Sequence, residues 1–139
     1  MKKMFRFTVL LLSVVMLSTM IAAAPVPPQP NVTITLVQGL PEVMQVGETY
    51  TVEVLVTSDI PFNTSAAMPD VYYPGRYVAG TRGDHGQSGT TSTLYVTFTA
   101  KDSTSGLPNG VAPVAVVAGA RFGNGYSSGQ RFDFLVTVP

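Results

Sequence analysis

The chain has 139 residues with no cysteine, no tryptophan and one histidine, and eight Lys/Arg balance eight Asp/Glu. Three of the cations (Lys2, Lys3, Arg6) stand in the first 24 residues, so the remainder carries five cations against eight carboxylates, about −3 in all. That excludes a disulfide scaffold, a cysteine-ligated metal, thiol chemistry and a nucleic-acid protein held by net basic charge.

Residues 1–7 are short and basic, 8–21 form an uncharged apolar run, and Ala22-Ala23-Ala24 supplies small residues for cleavage. This is the layout of a secretory signal peptide over residues 1–24. An uncleaved anchor helix is the alternative, and the one route by which the chain would meet a membrane. No cysteine follows the run, so no lipid anchor is expected. The product is expected to be secreted or at the cell surface, and stable by packing alone. Residues 25–30 hold four prolines in six positions and read as an extended spacer. Residues 31–139 then form one domain.

Within that domain apolar residues recur with a period of two. Val32, Ile34 and Leu36 alternate with Thr33 and Thr35, and Tyr50, Val52, Val54 and Val56 with Thr49, Thr51, Glu53 and Thr57. Leu94, Val96, Phe98 and Ala100 do the same, and Phe132, Phe134, Val136 and Val138 close the chain. Each run predicts a strand with one buried and one wet face. The continuous run 114–118 predicts a central strand or one covered on both faces, and Ala118-Gly119-Ala120 predicts close packing against a neighbour. From 60 to 89 the pattern weakens to short candidates at 66–68, 71–73 and 77–79, broken by Pro69 and by a Pro74-Gly75 turn. Turn signals between strands predict an all-β sandwich of about seven antiparallel strands.

The kinked segment Pro41-Glu42-Val43-Met44-Gln45-Val46-Gly47-Glu48, followed by a strand over 50–57, resembles the A, A′ and B region of bacterial immunoglobulin-like domains. The segment 93–100 resembles their strand E, and 114–118 and 131–138 their strands F and G. The resemblance implies an immunoglobulin-like β-sandwich, without the disulfide and buried tryptophan of antibody domains. It further implies a spacer, adhesion or accessory role in an exported protein.

Several constellations invite a chemical reading. The lone histidine stands in a glycine-rich stretch, Asp84-His85-Gly86-Gln87-Ser88, but neighbours in one loop do not make a relay. The same stretch begins with Arg82-Gly83-Asp84, a cation and a carboxylate spaced by glycine, which receptors of the integrin type read from a flexible loop tip; glycines every third residue equally suit a long mobile loop. Asp59, Asp70, Asp84 and Asp102 fall at predicted loops, where turn chemistry explains them as well as calcium does. No cofactor or metal is expected. Tyr72, Tyr73 and Tyr77 bracket Pro74-Gly75-Arg76; with Arg76 they would form an exposed platform for a glycan or protein partner, or else fill the sandwich rim. Asn31-Val32-Thr33 and Asn63-Thr64-Ser65 match the N-glycosylation pattern.

The sequence therefore reads as an exported, non-enzymatic module with a structural, adhesion or binding role, and no nucleic-acid partner. Two alternatives are a filament subunit that donates its first strand to a neighbour's sheet, and a carbohydrate-binding accessory domain centred on the tyrosines.

Overall fold

Alternation of threonine with valine and phenylalanine becomes pleated strands throughout the computed structural model, which describes residues 28–139. The leader and the first half of the proline spacer lie outside the described residues. The strands are β1 (Val32–Gln38), β2 (Thr49–Phe62), β3 (Thr64–Val71), β4 (Val78–Arg82), β5 (Gly89–Ala100), β6 (Ala112–Arg121) and β7 (Ser127–Val136). They form an antiparallel sheet ordered β1-β2-β5-β4 and a second ordered β3-β6-β7. This is the strand order of constant-type immunoglobulin sandwiches, an architecture many unrelated proteins share.

Val52, Val54 and Val56 of β2 lie beside Leu94, Val96 and Phe98 of β5, and this layer faces Val114, Val116 and Ala118 of β6. All are buried, and each large side chain contributes roughly 1.5–3 kcal/mol by leaving water. Phe132 and Phe134, by contrast, are only half-buried, as are Val32, Ile34 and Leu36. Both groups sit on strands at a sheet edge, which the facing sheet covers incompletely.

The run 114–118 is a central strand, as its apolar continuity predicts, but its outer face is only partly covered. Ala115 lies in register between Asp70 of β3 and Asp133 of β7. Arg131 reaches both carboxylates, Nη1 to Asp70 at 2.6 Å and Nε to Asp133 at 2.9 Å. The guanidinium straps over Ala115, which is fully buried, while Val117 stays exposed.

Between 60 and 89 the structure departs from the expected short segments. β3 passes straight through Pro69, which pairs in register with Val116. The reason is the edge. The Ser65 carbonyl accepts from Gly86 N–H at 2.9 Å, so odd-numbered backbone groups of β3 point away from β6. Pro69 therefore lacks an N–H only on the side where the ladder needs none. Across the gap between sheets, Gly80 of β4 packs so tightly on Pro69 that a Cβ would overlap the proline ring.

β1 is no detached tail. It pairs with β2 from Val32↔Ser58 to Gln38↔Glu53. Asn31 clamps its start, donating to Asp59 from its backbone N–H (2.8 Å) and from Nδ2 (3.2 Å). After β1 the chain crosses to the other sheet, where Thr137 N–H donates to Glu42 O (2.8 Å) and Met44 N–H to Thr137 O (3.0 Å). This single parallel bridge, Val43↔Thr137, occupies the A′ position that the sequence suggests.

Two polar clamps complete the packing. Ser65 and Ser92, both buried, meet across the sheets at 2.9 Å, and Ser92 donates to Gln87 Oε1 at 2.8 Å. Thr104 Oγ1 donates to Gly110 O (2.6 Å) and accepts from Val138 N–H (2.9 Å), tying the chain end to the loop after β5. β1 starts at the pole formed by the β2–β3 and β6–β7 turns, and β7 ends at the opposite pole.

Candidate functional site

β3 ends at Val71, and the chain turns back toward β4 through Tyr73-Pro74-Gly75-Arg76. Arg76 N–H donates to Tyr73 O at 2.9 Å, and Gly75 at φ +77° supplies the left-handed third position of the turn. The aromatic rings stack in order: Tyr72 meets Tyr73 edge to face with centroids 4.4 Å apart, and Tyr73 meets Tyr77 at 6.4 Å. The Arg76 guanidinium carbon lies 5.1 Å from the Tyr77 centroid.

Exposure divides the three tyrosines. Tyr72 is 40% exposed and Tyr73 56%, but Tyr77 only 8%. Tyr77 thus belongs to the core and not to an exposed platform. It anchors the loop, and its carbonyl accepts Lys101 N–H at 2.7 Å. The Tyr73 phenol, through its hydroxyl first and then through burial and its own charge, pushes the Tyr72 pKa above the ordinary 10.0.

The Arg82-Gly83-Asp84 tripeptide is not carried on a loop tip. Arg82 is the last residue of β4, and Gly83 N–H still bonds Tyr95 O at 2.8 Å. Arg82 Nη2 lies 3.3 Å from His85 Nε2. Gly86 and Gln87 are tied to Ser65, so the stretch is pinned at both ends and not a free loop. Asp84 is exposed between these anchors. The four candidate aspartates are apart. Asp59 holds Asn31, Asp70 is a strand residue bound to Arg131, and Asp102 accepts Ser103 N–H.

One concavity was not foreseen from the sequence. On the outer face of β3-β6-β7, the in-register row Ala66, Gly119 and Gly129 forms the floor of a groove of about 730 Å³. Met68 and Val117 wall one side, Thr64, Arg121 and Ser127 the other, and His85 and Gly86 close the β3 end. The close approach expected at Gly119 is real, since a Cβ there would meet Ser128 O of β7 at 2.6 Å. The signal was the Ala-Gly-Ala step, but only strand pairing sets its small residues beside Gly129.

No family model and no curated protein sequence matches the chain. Solved structures with a similar fold do exist. Domains 4 and 5 of the S-layer protein SbsC match with a TM-score of 0.50 at 14% identity, over 79% of this chain and 53% of that one. The chain thus spans about half the length of that S-layer fragment. The secreted serine protease VesC from Vibrio cholerae matches at 0.44 and 12% identity, over 76% of this chain and 23% of that one. A conjugative transposon lipoprotein from Bacteroides eggerthii matches at 0.41 and 16%, over 74% and 95%. At such identities the likeness is one of fold.

Proposed function

We propose that the chain is an exported, non-enzymatic structural module of the cell surface that meets protein or glycan partners through its loops. The observation that carries this reading is the position of its ends. β1 enters at one pole of the sandwich and β7 leaves at the other, so such domains can be joined in series without the chain doubling back. The fold likeness to domains 4 and 5 of an S-layer protein supports the reading. The sandwich also closes without cysteine, through apolar burial and the Ser65–Ser92 and Thr104 clamps.

Export is testable apart from the fold. Residues 1–30 fused to an alkaline phosphatase, which is active only once its disulfides form outside the cytoplasm, should yield active enzyme. Activity absent from the fusion, with the protein intact in the cytoplasm, would contradict the proposal.

A further inference from the structure

Among the described residues, only Tyr73 and Asn109 are non-glycine residues with positive φ, at +40° and +58°. Asparagine tolerates that region; a tyrosine is pushed out of it by its Cβ. Tyr73 also precedes Pro74, and a following proline drives a residue toward extended backbone. Glycine at 73 would close the same turn without the Cβ clash, and asparagine at a lower cost than tyrosine. The turn alone does not account for a tyrosine here, so the side chain's role is sought in what it presents.

It presents an ordered aromatic surface. The rings of Tyr72 and Tyr73 are held at 73° to one another, and buried Tyr77 meets the Tyr73 ring. Arg76 rests on Tyr77 and forms no ion pair among the described residues, so its N–H fork is available. Polar neighbours stand beside the loop: Lys101 and Asp102, both exposed, bond through their amides to the Tyr77 carbonyl.

The geometry points to a glycan-binding loop at Tyr72, Tyr73 and Arg76, with a pyranose polymer as its ligand. The C–H face of a pyranose ring stacks on an exposed phenol, and its hydroxyls or carboxylates accept from the guanidinium fork. Tyrosine supplies such contact area at low conformational-entropy cost. A protein partner needs roughly 800 Å² on each side with an apolar centre, and two exposed rings do not by themselves provide it. This inference rests on the module reading and names the partner class of one of its loops.

The test is affinity electrophoresis of the exported chain through gels containing dextran, xylan, glucomannan or alginate. At least one polymer should retard it, and Tyr72→Ala, Tyr73→Ala and Arg76→Gln should each weaken retardation by about tenfold or more. Tyr73→Gly and Tyr73→Asn separate binding from folding. Both should lose retardation while the melting temperature stays unchanged or rises, because the backbone strain is relieved. Failure of all four polymers to retard the native chain overturns the inference. So does retardation that survives Tyr73→Gly, or that is lost only in variants whose melting temperature falls.

Discussion

Thr104 shows how one hydroxyl holds a chain end. It is fully buried and both donates to Gly110 O and accepts Val138 N–H. Thr104→Val keeps the shape but strands the buried Val138 N–H and the part-buried Gly110 carbonyl. A cost of about 1–3 kcal/mol is expected, read as a lower urea midpoint at unchanged m; a change below about 0.5 kcal/mol would show the clamp to be idle. At the tyrosine loop the raised Tyr72 pKa carries a sign. As pH climbs past the ordinary phenol value, the unfolded chain releases its proton first, so stability falls with pH until Tyr72 itself ionises. Tyr73→Phe removes the leading cause, and Tyr72 should then titrate at lower pH, as read from the phenolate absorbance lost in Tyr72→Phe. An unmoved transition would place the cause elsewhere.

Between elements, contacts decide what propensity leaves open. Gly80→Ala should cost about 1–3 kcal/mol, because the new methyl overlaps Pro69 of the opposite sheet where two edge strands close the sandwich. A neutral outcome would mean that β4 can withdraw freely. The Arg131 strap is weaker. Its charges are half exposed, so Asp70→Asn should cost less than about 1 kcal/mol and lose its effect in high salt. Alternation made β2, β5 and the closing strand legible in the sequence, because one face of each is buried or half-buried and the other is lined largely with threonine or charge. β3 was not legible. Its residues Ser65, Ala67 and Pro69 point inward, yet a serine bonded to another serine and a proline on a free edge carry no apolar signature. The groove was hidden for a related reason. Its floor joins residues 66, 119 and 129, which only pairing brings into one row. Spacing alone groups Tyr77 with its neighbours; burial separates it from them.

For the whole molecule, seven antiparallel strands place the entry and exit of the domain at opposite poles, with the tyrosine loop at the exit pole and the groove on one flank. A module in series would leave both surfaces open to partners. The proposed role depends on where this molecule works. Its most direct test is external proteolysis of intact source cells carrying the chain with a C-terminal epitope tag. The tag should be lost from intact cells, while a cytoplasmic marker survives, and the chain present before digestion should have shed its leader. A tag protected until the cells are lysed would contradict a cell-surface role.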